Sequence, residues 1–141
     1  AFAVTSASHV METEDCVAAA LRFDGGALGA VDATTAAYPG FPERIDLAGT
    51  KATAVLTPGK LELYHHDGRR ESIGEEASGG GGADPMAFTH DAHRGVLVEF
   101  LDALDAGRAP VNSGRAALSV HYLIEALLES SRRRAPVAVR R

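Results

Sequence analysis

Cysteine, tryptophan and long apolar runs are scarce or missing in this 141-residue sequence. The single cysteine, Cys16, has no partner for an internal disulfide, so we expect a reducing compartment, the cytoplasm, and a packing role for the thiol. No apolar run approaches the roughly 20 residues that a membrane-spanning helix needs, and no basic segment precedes an apolar one at the N-terminus. The sequence therefore predicts neither a membrane partner nor a secretion signal.

Basic side chains are also few outside the C-terminus. The sequence has 14 lysines and arginines against 19 aspartates and glutamates, which gives a formal net charge of -5. Five arginines stand among the last ten residues, without an acidic residue between them: Arg132, Arg133, Arg134, Arg140 and Arg141. Because no aromatic side chains interleave with them, we interpret the cluster as a cationic helix end, which the helix dipole favours, and expect no nucleic-acid partner.

The composition is that of a globular protein, with 45% hydrophobic and 23% charged residues, and the length fits a single domain over residues 1–141. Alternating side chains from Cys16 to Asp24 predict a strand, and Asp24-Gly25-Gly26 predicts a hairpin that returns over residues 27–36. Further short strands are predicted over residues 3–10, 44–48, 52–56, 61–64, 70–73 and 137–139.

Helical periodicity follows the strands. Apolar residues recur at helical spacing from Asp91 until Gly107, and a second helix is predicted from Asn112 or Ser113 to Arg134. Strands followed by helices are typical of the α+β class. We therefore predict an antiparallel, mostly meandering sheet with the two C-terminal helices on one face.

The opposite sheet face is predicted to be open. Ala18, Ala20, Gly29 and Ala30 offer small apolar groups where a solvated face would carry polar side chains, so we expect this face to be used for oligomerisation, with a homo-oligomer as the result. Residues 75–88, by contrast, include the segment EEASGGGGAD and are predicted to be a flexible Gly-rich loop.

A rigid loop between two predicted strands offers the best binding groups. Pro39 and Pro42 restrict the backbone around Tyr38 and Arg44, which suits recognition of a polyhydroxylated or acidic small molecule. The simpler alternative is that Tyr38 and its neighbour Phe41 fill an edge of the core. Thr35, at the end of the preceding strand, is a weaker candidate for substrate contact.

Three segments together resemble a known family: DCVAAALRFDGGALG from Asp15, ATTAAYPGFPERIDLAGTKATAVL from Ala33, and HRGVLVEFLDALDAGRAP from His93. Their order and spacing resemble the C-terminal domain of the Gfo/Idh/MocA family (glucose-fructose oxidoreductase, inositol dehydrogenase, rhizopine catabolism). The resemblance implies a substrate-side and oligomerisation domain of an oxidoreductase that uses NAD or NADP and acts on a sugar, cyclitol or related polyol.

The same resemblance marks what this sequence does not contain. The family's N-terminal Rossmann half, its Glu-Lys-Pro motif and its Asp-x-x-x-His motif are missing, and no G-x-G-x-x-G fingerprint joins a strand to a helix. We therefore assign no catalytic and no cofactor-binding residue to this chain, and expect it to be inactive alone. A different class of function stays open: a non-catalytic, stand-alone binding or assembly module.

Histidines complete the candidate residues. His93 lies where the family has a His-x-x-Gln stretch, with Val96 at the Gln position, so the resemblance makes His93 a possible hydrogen-bonding group for a substrate hydroxyl; a solvent-facing histidine is the alternative. His90 with His93, and the run His65, His66 and Asp67, lack the further ligands of a zinc site, so no metal is expected.

Overall fold

The computed structural model describes residues 1–38, 40–75 and 90–140. These residues form two compact units, one of Ala1–Ala36 with His90–Arg141 and one of Ala37–Thr89. Antiparallel strands precede two helices, so the predicted α+β class is confirmed. The Gly-rich loop predicted over residues 75–88 lies, apart from Glu75, outside the described residues.

The first unit contains a three-stranded antiparallel sheet. Its strands are β1 (Phe2–Ser6), β2 (Cys16–Arg22) and β3 (Leu28–Thr34), in that order. The predicted hairpin between β2 and β3 is confirmed: Phe23 N–H donates to the Ala27 carbonyl over 2.9 Å, and Gly26 has a φ of 88° that only glycine adopts without strain.

The two faces of this sheet differ in exposure. In the strand register, Val4 pairs with Ala18 and Ala18 with Asp32, and these residues share one face with further exposed ones, apolar and polar: Phe2, Ser6, Ala20, Arg22, Leu28, Ala30 and Thr34. The predicted open face is therefore present in the chain. Gly29, which we expected on that face, pairs with Leu21 on the opposite face, because side chains alternate along a strand and Ala30 is its neighbour.

Helix α2 (Gly114–Arg133) packs against β1 on the covered face. It begins as predicted: Ser113 is the N-cap residue, and its Oγ accepts a hydrogen bond from Ala116 N–H over 3.2 Å. The helix ends at Arg134, whose φ of 53° turns the chain out of the helix. Among the described residues, the buried apolar side chains of α2 are Ala126 and Leu127.

A buried hydroxyl joins α2 to β1. Ser130 is fully buried, and its Oγ accepts from the Ala3 backbone N–H over 2.9 Å and donates to the Ala135 carbonyl over 2.8 Å. The adjacent Ser131 Oγ accepts from Thr5 N–H over 3.1 Å. The first strand and the last helix are thus held together by side chains that supply the partners β1 lacks on its outer edge.

Helix α1 (Asp91–Asp105) is joined to the segment that follows it by a bidentate ion pair. Arg108 donates to Glu99 from Nη1 over 2.8 Å and from Nη2 over 2.7 Å, and Val111 N–H donates to Glu99 Oε1 over 2.8 Å. The hydrogen bonds from Arg108, with that from Val111, lower the pKa of Glu99 from its ordinary value of 4.5 to about 2. Gly107, with a φ of 61°, ends the helix as predicted.

The second unit contains a four-stranded antiparallel sheet. Its strands are β4 (Ile45–Ala48), β5 (Ala52–Thr57), β6 (Lys60–His65) and β7 (Arg70–Gly74), in sequence order. One face carries apolar side chains that the register brings into line: Ile45, Leu47, Leu56, Leu61, Leu63 and Ile73. The other face is mostly polar, with Lys60 paired to Glu62 and Arg70 stacked over the Tyr64 ring.

The structure departs from the predicted strand limits in three places. The meander is divided between two sheets, with a break after β3. Strand β1 ends at Ser6, although pairing was predicted as far as Val10. The predicted last strand over residues 137–139 is wrong, because Val137 only exchanges hydrogen bonds with Ala1 and no ladder continues from this pair.

The hydrogen bonds of Ser130 lead to a prediction about the free energy of unfolding. We expect Ser130→Ala to lower the free energy of unfolding by about 1–3 kcal/mol, because the Ala3 N–H stays buried and loses its partner. Ser119→Ala is the matched control, since Ser119 is exposed and its Oγ donates only within α2; we expect a change within about 0.5 kcal/mol. Urea denaturation measures both, and equal effects of the two substitutions would contradict the role of Ser130.

The Glu99–Arg108 pair makes a prediction about pH. Because the pKa of Glu99 is lowered in the folded state, the pair stabilises the fold above the ordinary pKa of 4.5, and this stability is lost as pH falls towards about 2. Glu99→Gln should therefore be less stable than wild type at neutral pH, with the gap closing in acid. Glu12→Gln, at an exposed residue, is the control. A gap between wild type and Glu99→Gln that stays constant between neutral pH and pH 2 would refute the assignment.

Candidate functional site

The aromatic side chains of the proline-rich loop are open to solvent. Tyr38 is 92% exposed and Phe41 is 74% exposed. The alternative that these two residues fill an edge of the core is therefore wrong. Gly40 between them has a φ of 91°, so the loop turns at the position where only glycine does so without strain. Both rings are available for contact with a ligand.

Arg44 lies at the end of this loop, next to β4, and is anchored by a neighbouring carboxylate. Its Nε donates to Asp46 Oδ1 over 2.8 Å and to Oδ2 over 3.1 Å. This hydrogen bonding, with the charge of Asp46, raises the pKa of Arg44, so the guanidinium remains a cation. Its Nη atoms have no partner among the described residues, and they are the donors that bind hydroxyl or carboxylate oxygens in pairs.

The other two predicted contacts belong to the first unit. Thr35 follows β3, and its N–H donates to the Asp15 carbonyl over 2.9 Å. His93 is exposed in the first turn of α1. The structure thus places Thr35 and His93 in one compact unit and Tyr38 and Arg44 in the other. All four are exposed, as substrate contacts require.

A polar cluster that the sequence did not indicate lies between β1 and β2. The side chain of Asp15 is fully buried, and its two oxygens accept from Ser8 N–H over 2.8 Å, from His9 N–H over 2.9 Å and from His9 Nδ1 over 2.7 Å. The hydrogen bond from Ser8, followed by those from His9, holds the pKa of Asp15 well below its usual range despite the burial. Asp15 is therefore a carboxylate that accepts and never donates.

Two further polar side chains border this cluster. Cys16 Sγ lies 3.1 Å from Thr34 Oγ1 and 3.8 Å from Ser8 Oγ, and Thr34 Oγ1 also accepts from Ala36 N–H over 2.9 Å. Cys16 is therefore partly exposed at the end of the sheet and is not packed in the core as we expected. Its hydrogen-bonded neighbours are these two hydroxyl groups and the carboxylate of Asp15.

One of the histidines considered as metal ligands, His65, has other side-chain partners. His65 Nε2 lies 2.8 Å from Glu71 Oε1, and the same oxygen accepts from Arg69 over 2.9 Å. A cation already occupies the position beside these two side chains. Within residues 1–38, 40–75 and 90–140, no group of three or more histidine, cysteine or acidic side chains is arranged to hold a metal ion.

The strand pairing of the described residues differs from that of a dinucleotide-binding fold. NAD and NADP bind where a parallel strand runs through a glycine-rich turn into a helix. All strand pairs in the described part of the chain are antiparallel. No described helix is both long and apolar enough to cross a bilayer.

Comparison with known proteins agrees with this architecture. The family model described as "Oxidoreductase family, C-terminal alpha/beta domain" matches residues 2–139. An oxidoreductase from Agrobacterium radiobacter, solved in complex with NAD+, L-tartaric acid and magnesium, is 26% identical with a TM-score of 0.76, over 98% of this chain. The WlbA dehydrogenase from Bordetella pertussis, solved with NADH and UDP-GlcNAcA, is 22% identical with a TM-score of 0.71, over 99% of this chain.

The chain spans 42% of the length of each of these two structures. The search of curated proteins returned no match. The family model, however, covers almost every residue of the chain, and it agrees with the antiparallel strands and paired helices described above. The chain therefore belongs to the Gfo/Idh/MocA oxidoreductase family, of which it is the C-terminal α/β domain.

Proposed function

We propose that this chain is the substrate-side and oligomerisation domain of an NAD(P)-dependent oxidoreductase that acts on a sugar, cyclitol or related polyol in the cytoplasm. The observation that carries the proposal is the family match over residues 2–139. The 26% identical structure supports it, because that protein was solved with NAD+ and a polyhydroxylated acid. We expect the activity to need residues beyond those of this chain, since the chain spans 42% of the length of that structure.

The described residues support a division of labour. Their strand pairs are all antiparallel, unlike those of a dinucleotide-binding fold, so we expect NAD or NADP to be held, and to accept the hydride, outside them. What they do offer is exposed groups suited to hydroxyl and carboxylate oxygens. Arg44 is oriented by Asp46 and keeps its Nη donors, Tyr38 presents a phenol, and Thr35 and His93 add a hydroxyl and an imidazole.

The test is an assay of the complete product of the gene that encodes this chain. We expect reduction of NAD or NADP with a polyol or sugar, and we expect this chain alone to give no saturable heat with either nucleotide at micromolar concentration. If none of the tested polyols, sugars and hydroxy acids reduces NAD or NADP, the result would favour the alternative, a non-catalytic binding or assembly module. Nucleotide binding by the chain alone would contradict the division of labour.

In that assay Arg44→Ala should raise the KM for the polyol by about tenfold, which corresponds to one lost charge-assisted hydrogen bond. The KM for the nucleotide should not change. Arg69→Ala is the control, because Arg69 is an equally exposed arginine in the turn between β6 and β7 and pairs with Glu71. An unchanged polyol KM in Arg44→Ala would remove Arg44 from the site.

The open sheet face supports the oligomerisation part of the proposal. Val4, Ala18, Ala20 and Ala30 contribute apolar side chains whose burial is favourable, at roughly 25 cal/mol per Å², on a face that also carries the charged side chains of Arg22 and Asp32. The covered face is already used by α2. A second copy of the chain can therefore approach the open side of this sheet without displacing α2.

We expect Ala18→Glu to abolish self-association, because the interface would bury an unpaired carboxylate. Ala27→Glu is the matched control, since Ala27 is exposed next to the hairpin and outside the paired strands. Sedimentation velocity at several protein concentrations gives the oligomeric state. Wild-type protein that stays monomeric at high concentration, or Ala18→Glu that associates like wild type, would reject this interface.

A further inference from the structure

The connection between β1 and β2 contains a side-chain hydrogen bond, between the His9 ring and Asp15, for which the fold has no evident need. Asp15 already closes this connection by accepting the backbone N–H groups of Ser8 and His9. The imidazole of His9 adds a third bond to the same carboxylate, although its side chain is 62% exposed. A buried carboxylate that orients a solvent-exposed histidine is the arrangement by which proteins fix a ring for contact with another group.

The carboxylate also fixes which ring nitrogen carries the proton. Asp15 is ionised and can only accept, so the His9 atom 2.7 Å away, Nδ1, must be the donor. In the neutral ring Nε2 is then left as a hydrogen-bond acceptor. This atom has no partner among the described residues. Asp15 thus acts as a positioning residue, and His9 Nε2 as an oriented acceptor.

The position of His9 relates it to a predicted substrate contact. The Thr35 N–H donates to the carbonyl of Asp15, the residue whose carboxylate binds His9, so the end of β3 and the β1–β2 connection lie at one end of the sheet. Two more hydroxyl groups, those of Ser8 and Thr34, border Cys16 at the same end. Hydroxyl donors and acceptors are therefore concentrated there.

The negative charge of the β1–β2 connection favours some hydroxylated ligands over others. Residues 7–15 contain three acidic side chains, Glu12, Glu14 and Asp15, and no lysine or arginine. An anionic hydroxy acid would meet like charges, whereas a neutral polyol would not. We propose that His9, oriented by Asp15, accepts a hydrogen bond from a hydroxyl of a neutral polyol substrate, which adds a specificity contact to the function proposed above and rests on it.

The orientation is tested first, by long-range ¹H–¹⁵N correlation of the histidine rings of this chain across the pH range of the neutral ring. We expect His9 to be the Nδ1–H tautomer in wild type and to lose this preference in Asp15→Asn. His121, exposed on α2, serves as the control ring. A His9 that shows the same tautomer mixture as His121 in wild type would overturn the proposal.

Binding is tested by titrating the same sample with myo-inositol up to its solubility limit and, separately, with L-tartrate. We expect a saturable shift of His9 Nε2 and of the Thr35 amide with myo-inositol. The apparent affinity should be roughly tenfold weaker in Asp15→Asn, as for the loss of one ordinary hydrogen bond. In His9→Phe, which leaves Asp15 in place, the Thr35 response should be lost.

No response of His9 to myo-inositol, or a response to L-tartrate alone, would overturn the inference. The oxidation assay of the complete gene product separates this failure from that of the proposed function. Polyol oxidation without a His9 response removes only the His9 contact. A His9 response without oxidation of any polyol instead removes the oxidoreductase assignment and leaves a polyol-binding module.

Discussion

The first unit depends on the hydrogen bonds of Ser130, which join α2 to β1. Strand β1 is an edge strand, so its outward N–H groups have no neighbouring strand, and the Ala3 N–H is nevertheless buried. A serine hydroxyl can accept and donate at once, and Ser130 does so between Ala3 and Ala135. An apolar residue of similar size would leave the Ala3 N–H unpaired. With α2 bound in this way, one face of the sheet is covered and the other is left open.

The regular elements could be predicted because their periods are unambiguous. Alternation placed β2, the helical period and Ser113 placed α2, and Gly107 marked the end of α1. The end of β1 could not be predicted, because it depends on a side chain outside the strand. Asp15 takes the N–H groups of Ser8 and His9, and a backbone group bonded to a carboxylate no longer continues a ladder.

The residues of the candidate site also differ in how far the sequence indicated them. Tyr38 and Arg44 were indicated by the prolines that restrict the backbone around them, and both side chains are exposed; their contact with a substrate stays a prediction. The His9–Asp15 pair gave no such signal. Its members are six residues apart in an irregular connection, where no helix or strand period relates them, and only the fold brings the ring to the carboxylate.

The distribution of apolar surface links stability to assembly. Among the described residues only four apolar side chains are buried, namely Ala3, Ala103, Ala126 and Leu127, and three of these are alanines. Larger apolar groups stay exposed on three surfaces: the open face of β1–β3, the apolar face of β4–β7, and the stripe of Leu97, Phe100, Leu101 and Leu104 along α1.

Burial of large side chains is the main favourable term in folding, so a chain that encloses so few of them gains little of this term by itself. Exposed apolar patches of this extent mark interaction surfaces. The association proposed above would cover apolar surface of this kind and would thereby add stability to the fold. A charged side chain placed on such a surface should consequently weaken assembly. It should also lower the part of the folding stability that depends on protein concentration, because both effects come from the same buried area.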